Sequence, residues 1–236
     1  LYAGEMVTPE LEPPYVGLVV SGGHTLLCVV HPEGRFEVLG ETKDDAVGES
    51  FDKVAKLLGL GYPGGPAIDR LSDEGRRDAV TFTRSTAKDG CDFSFSGLKT
   101  DVYRYVQKAA EGSRLKAEGK SVSLEPRASS LDRSFIADTA ASFQEAAVDI
   151  VMAKTLRACQ RTGLRRVVVG GGVASNRRLR ERLQQEAVAG KFQAVFPPPN
   201  LCVDNGVMIA GLAFESLRRG QSSSLSMNIY TNSQLN

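Results

Sequence analysis

The sequence predicts an α/β fold with a parallel layer, and three observations point to it. Short apolar runs end abruptly in glycine at residues 16–23 and again at 167–172. From about residue 136 the pattern reads helix, strand, helix, strand, helix, an order that brings successive strands back in the same direction. At 236 residues, 42% of them hydrophobic, the chain can bury one large core or two smaller ones.

The elements follow in order. Residues 16–20 and 26–30 are apolar and β-branched, and a turn at His31–Gly34 leads to a third strand near 35–39, which makes a meander. In "DDAVGESFDKVAKLLGLG", Phe51, Val54, Ala55, Leu57 and Leu58 form one helical stripe, stopped by Gly59 or Gly61. "YPGGPAIDRLSDEG" is a tight Pro/Gly loop running into a short helix, and "CDFSFSGLKT" alternates like a short strand before a helix through Tyr103 and Val106. Residues 111–134 are polar, rich in Ser, Lys and Arg, and read as an exposed loop or insertion.

A long helix is expected from about Ile136 to Thr162, with Gly163 as its stop. "RRVVVGGG" is a buried strand, Ser175 an N-cap for a helix bearing Leu179 and Leu183, and "FQAVFPPP" a further strand. Asp204 stands at the start of a last helix carrying Val207, Ile209, Leu212, Phe214 and Leu217. The chain thus divides into residues 1–110, the polar stretch 111–134, and a parallel α/β region 135–236.

Composition narrows the function classes. Twenty-nine Lys and Arg against 28 Asp and Glu leave a net charge of +1, so any polyanion must be met by a local patch. Cys28, Cys91, Cys159 and Cys202 are scattered without a C-x-x-C pair, which argues for reduced thiols. No apolar segment reaches membrane-spanning length, and the first residues lack the form of a signal peptide. The chain opens on Leu rather than Met, as a fragment or processed form does.

Chemistry concentrates at the two glycine stretches. In open α/β folds ligands sit beyond the carboxyl ends of parallel strands, where glycines admit backbone N–H groups to phosphate oxygens. "VVSGGHT" offers Ser21, the amides of Gly22 and Gly23, and the Thr25 hydroxyl, and "VVVGGGVASN" offers Gly170, Gly171, Gly172 and Asn176. Neither is a P-loop or a dinucleotide fingerprint, and tight turns in an α/β core would look the same. Asp204 reads either as an ordinary helix cap or as a metal ligand, and Asp52 either as a solvated carboxylate or as an acceptor for a ligand hydroxyl or amine. The loop Pro63–Pro66 with Asp69 is a rigid turn or a substrate loop. Arg177, Arg178, Arg180 and Arg182 form a solvated face paired with Glu181 and Glu186, or a phosphate contact. His24 and His31 are the only histidines and lack H-x-x-x-H spacing, so they do not make a His-rich metal centre.

Taken together, "VVSGGHT", "DDAVGESFDKVAKLLGLGYPGGPAID", "FSFSGLKT", "ASFQEAAVDIV", "VVVGGGVASNRRLR" and "PPPNLCVDNGVMIAG" resemble, in this order, the TsaD family of tRNA threonylcarbamoyladenosine transferases. Older names for the family are glycoprotease and O-sialoglycoprotein endopeptidase. The resemblance covers roughly residues 15–220, and His24 is similar to the bacterial and organellar branch. It implies the two-lobed fold shared by actin, sugar kinases and Hsp70 chaperones, with mostly the C-terminal lobe and part of the other present here. It implies transfer of a threonylcarbamoyl group from threonylcarbamoyl-adenylate to the exocyclic amine of the adenosine 3′ of the anticodon, in tRNAs reading codons that begin with A.

By the same resemblance Val19, Val20, Ser21, Gly22, Gly23 and His24 line the adenylate, and Asp52, Gly65 and Asp69 meet the substrate from the same lobe. Gly171, Gly172 and Asn176 hold the nucleotide from the other side. Asp204 corresponds to a ligand of one divalent metal ion, iron or zinc, whose two His ligands belong to an H-x-x-x-H motif upstream of the matched residues. The implied partners are tRNA, threonylcarbamoyl-adenylate, a paralogous inactive subunit and a small ATPase, in the cytoplasm or, in a eukaryote, an organelle. No catalytic residue is assigned. Two alternatives stay open: a metal-dependent endopeptidase, and a non-catalytic nucleotide-binding lobe.

Overall fold

The computed structural model describes residues 1–84, 90–116, 131–224 and 226. A short helix α1 (Tyr2–Val7) precedes strands β1 (Tyr15–Val20), β2 (Thr25–Val30) and β3 (Phe36–Glu41). Helices α2 (Val47–Leu57), α3 (Gly64–Leu71) and α4 (Ser96–Lys116) follow, and then the 30-residue α5 (Arg133–Thr162). The chain continues with β4 (Arg166–Gly170), α6 (Arg177–Val188), β5 (Gln193–Val195) and α7 (Gly206–Arg218).

The strands form one mixed sheet in the order β3-β2-β1-β4-β5. β1, β2 and β3 are the expected antiparallel meander, and β1, β4 and β5 run parallel. The predicted α/β class and its parallel layer are therefore present. The inner strands β1 and β4 are buried on both faces, which explains their near-continuous apolar runs. Val16, Leu18, Val20, Leu27, Val29, Val167 and Val169 join the main core with the helices, whereas Tyr15, Cys28, Val30 and Val168 pack in a smaller core on the opposite face. This split is the period-two alternation of a strand.

Helix α5 is buried around much of its circumference, and its many alanines let neighbouring helices approach closely. It ends at Gly163, whose positive φ of 71° and N–H bond to the Cys159 carbonyl (2.9 Å) make a left-handed cap. Helix α2 stops at Leu57, with Gly59 in the left-handed region just beyond, as its stripe predicts.

Several expectations are corrected. The polar stretch 111–134 is narrower than its composition suggests, because α4 runs on to Lys116 and α5 begins at Arg133, while the rest of it lies outside the described residues. "CDFSFSGLKT" forms no strand. Phe93 makes a single bridge to Thr42, and Asp44 holds the segment by accepting from the Phe95 amide (2.9 Å) and the Ser94 hydroxyl (2.5 Å). The N-cap of α6 is Asn176 rather than Ser175, and that of α7 is Asn205 rather than Asp204. In each case the asparagine oxygen accepts from the amide three residues on. In α7, Val207, Ile209, Leu212, Phe214 and Leu217 are each more than half exposed, so the apolar residues that identify the helix do not face the core described here.

Candidate functional site

The parallel pairing of β1 with β4 sets the geometry. Val19 lies opposite Gly170, so the two glycine-rich strand ends emerge side by side at the carboxyl edge of the sheet. Gly171 follows with φ +92°, and its Cα packs so closely on β1 that a Cβ there would meet the Val20 carbonyl oxygen at 2.4 Å. The start of α2 closes the same corner. Gly48 N–H donates to the Ser21 carbonyl (3.1 Å), and a Cβ on Gly48 would meet Ser21 O at 2.6 Å and Gly22 Cα at 2.8 Å. A glycine inside a helix costs stability, and here close backbone approach is the reason it is present.

The loop 21–24 is a tight hairpin turn. Ser21 N–H donates to the His24 carbonyl (2.8 Å), and Ser21 Oγ accepts from the amides of Gly23 (3.3 Å) and His24 (2.9 Å). The Ser21 hydroxyl and the Gly23 amide are thus engaged with each other, which narrows what this loop presents. Gly22, Gly23 and His24 are exposed, and open space faces both glycines. Thr25 is no ligand group: it is buried, and its Oγ1 accepts from Val47 N–H (2.8 Å), supplying the cap that α2 lacks from its own N-cap residue.

The remaining candidates extend from this corner. Asp52 Oδ1 accepts from Gly64 N–H (2.7 Å), so the half-buried carboxylate ties the start of α3 to α2 and places Gly65 next to it. Asp69 on α3 is engaged by Arg177, whose Nε meets Oδ2 at 2.8 Å and whose Nη2 meets the Asp69 carbonyl oxygen at 2.6 Å. The same guanidinium reaches Asp73 (2.8 Å), so Arg177 ties α3 to the start of α6 beside Asn176. Asn176 is buried, and with Val47, Phe51 and Val173 it lines a small hollow of about 10 Å³. Val203 lies 3.8 Å from the place a Gly172 Cβ would occupy, which brings the exposed Asp204 to the same edge. Asp204 also lines an open groove of about 670 Å³ with Asn205, Gly206 and Met208.

The arginines of α6 hold partners within the fold. Arg178 grips Glu145 of α5 with two bonds (2.6 and 2.7 Å) and also meets Glu181. Arg182 bridges Glu145 and Asp149, each at 2.7 Å. Arg180 donates to the Ala174 and Pro197 carbonyls and lies over the Phe196 ring. The expected partner Glu181 is present, whereas Glu186 pairs with Lys191 instead. Burial alone would raise the Glu145 carboxyl, but Arg178 and Arg182 outweigh it and hold it below the ordinary carboxylate value. A depressed value stabilises the fold at and above the ordinary pKa, and the contribution is lost as pH falls through the folded value. Urea midpoints measured from about pH 6 to pH 3 should therefore fall more steeply for the parent chain than for Glu145→Gln, around the pKa near 4.3 of an unperturbed Glu. Equal slopes would show that the pair carries no linkage.

Thiol chemistry finds no support. All four cysteines are free and buried, and burial pushes Cys28 and Cys159 up to about 11. Among the described residues no cluster of three or more His, Cys, Asp or Glu side chains is placed to hold a metal ion. Asp204 is one carboxylate on its own, so these residues do not fit a complete metal centre. Sequence reasoning missed Gln144, a buried side chain on α5 that accepts from Asn176 Nδ2 (2.8 Å), because nothing in its local pattern distinguishes it from a surface glutamine.

Comparison with known proteins places this geometry. Two solved structures share the fold: full-length HypF in the phosphate- and nucleotide-bound form (TM-score 0.62, 15% identity, 92% of this chain and 42% of that one) and T. kodakarensis HypF (TM-score 0.59, 15% identity, 93% and 36%). At that identity the likeness concerns the fold alone. A protein named tRNA N6-adenosine threonylcarbamoyltransferase from Clostridium kluyveri (strain ATCC 8527) is 43% identical over 228 residues, covering 96% of this chain and 62% of the relative. Proteins of the same name from Clostridium botulinum (strain Kyoto / Type A2) and Clostridium perfringens (strain SM101 / Type A) are 43% and 42% identical over 227 residues, with the same coverage. The chain thus spans about 62% of the length of these relatives. The family model for TsaD, tRNA N6-adenosine threonylcarbamoyltransferase, matches residues 1–211, and the chain belongs to this family.

Proposed function

We propose that this chain serves threonylcarbamoyl transfer to tRNA, as one wall of a cleft that holds an acyl-adenylate. The observation that carries the reading is the β1–β4 register, which sets Val19–Gly23 and Gly171–Gly172 at one sheet edge in a chain of this family. The proposed fold is the two-lobed one of actin, sugar kinases and Hsp70. A meander continued by parallel strands, in the order β3-β2-β1-β4-β5, supports it.

In the proposed reaction the exocyclic amine of adenosine attacks the carbamoyl carbon of threonylcarbamoyl-adenylate. A C–N bond forms, the bond to the phosphate oxygen breaks, AMP departs, and the amine releases a proton. The amine is a weak nucleophile, so the step depends on position and on stabilising charge as it builds on the phosphate. Backbone N–H groups at the two strand ends suit that task, with Asn176, Asp52, Gly65 and Asp69 framing the nucleotide and acyl group. The resemblance assigns Asp204 to a metal. The described residues do not complete such a site.

The tRNA is the proposed acceptor, and the buried, reduced thiols suit the cytoplasm. Among the described residues no helix is long and apolar enough to cross a membrane. A peptidase is not favoured: His31 is committed to Glu37 (3.1 Å), and His24 sits in a turn with no second histidine beside it. Nucleoside mass spectrometry of tRNA from cells depleted of the protein tests the proposal. Loss of threonylcarbamoyladenosine is expected, and an unchanged level would refute it.

A further inference from the structure

Asn176 and Gln144 form a relay whose chemistry follows from one fixed point. The Leu179 amide can only donate, and it meets Asn176 Oδ1 at 2.9 Å. The other end of the Asn176 amide is therefore NH₂, and it donates to Gln144 Oε1 at 2.8 Å. Gln144 is only 4% exposed, and among the described residues its one hydrogen-bond partner is Asn176. Neither polar atom of Gln144 is a buried atom left without a partner. From the middle of α5, between Phe143 and Glu145, its acceptor oxygen holds Asn176.

With the Leu179 amide on Oδ1 and one Nδ2 hydrogen on Gln144, the second Nδ2 hydrogen is the donor Asn176 has left, beside one further lone pair on Oδ1. That hydrogen requires an acceptor such as a phosphate oxygen or a purine ring nitrogen. We propose that Gln144 is a positioning residue that locks Asn176 as a hydrogen-bond donor to the bound adenylate. The inference rests on the adenylate reading of the site.

AMP affinity, measured by calorimetry on the intact protein, tests it. Gln144→Met keeps the volume and removes the acceptor, and should weaken AMP about tenfold, the scale of one lost hydrogen bond. Gln144→Glu keeps an acceptor for Asn176 Nδ2 and should bind within about threefold of the parent. A packing role alone reverses this order, because methionine suits a core and a buried carboxylate does not. The double variant Gln144→Met/Asn176→Ala should bind no more weakly than Asn176→Ala, since the two residues act as one unit. The proposal is overturned if Gln144→Met binds like the parent, if the two effects add, or if folded Gln144→Glu is as weak as Gln144→Met. Where Gln144→Glu does not fold, Gln144→Met and the cycle decide. A parent protein that does not bind AMP removes the adenylate reading and this inference with it, a result distinct from a binding parent with unaffected variants.

Discussion

Replacing Gly171 by alanine is expected to destabilise the chain by about 3 kcal/mol or more and to abolish nucleotide binding. Two independent costs combine. The φ of +92° is one that residues with a Cβ rarely adopt, and the added methyl would stand 2.4 Å from Val20 O, 2.8 Å from Val20 C and 3.2 Å from Ser21 Cβ. Two of those three atoms are backbone in a central strand, so relief requires parting β1 from β4 at the very edge where the strand ends are paired. Gly22→Ala is the matched control. Open space faces Gly22, and its substitution should change stability by less than about 0.5 kcal/mol. Urea unfolding of both variants decides the point: equal midpoints would mean that the close approach at Gly171 is not needed.

Phe143→Ala is expected to cost about 3–5 kcal/mol, the range for removing a large aromatic from a tight core. Phe143 has no exposed surface and meets Phe51 edge-on at 5.0 Å, which pins α5 to α2. The loss has a functional side. Phe51 also lines the hollow beside Asn176, and Gln144 follows Phe143 directly, so a cavity here loosens the relay as well as the core. A midpoint shift worth less than about 1.5 kcal/mol would mean that neighbouring side chains collapse into the space.

The meander, the stripe of α2, the stop at Gly163 and the parallel layer were legible in the sequence because each follows from local pattern: alternation, a 3.6-residue period, or a left-handed glycine. The grouping of Val19–Gly23 with Gly171–Gly172 was legible as an echo, though its cause, a register between β1 and β4, is a long-range fact. Side-chain roles were less accessible. Thr25, Asp52 and Asn176 each cap a helix, a role their local sequence does not announce, because a polar atom's partner depends on which backbone amide the fold brings to it. The partners of Arg178 and Arg182 were hidden for the same reason, since α5 supplies Glu145 and Asp149 from more than thirty residues upstream. The apolar residues of α7 declared a helix without declaring which side it would bury.

The pairing of Val16 with Val167 also has a consequence in time. During synthesis the meander and α2 emerge before β4 and can fold on local contacts, but β1 lacks its β4 partner until that strand has been made. Bringing such distant segments together carries a loop-closure cost that no early contact repays. The nucleotide edge is therefore a late product of folding, complete only after Gly171 has left the ribosome, and a nascent chain stalled before that point holds a half-built sheet with one adhesive margin.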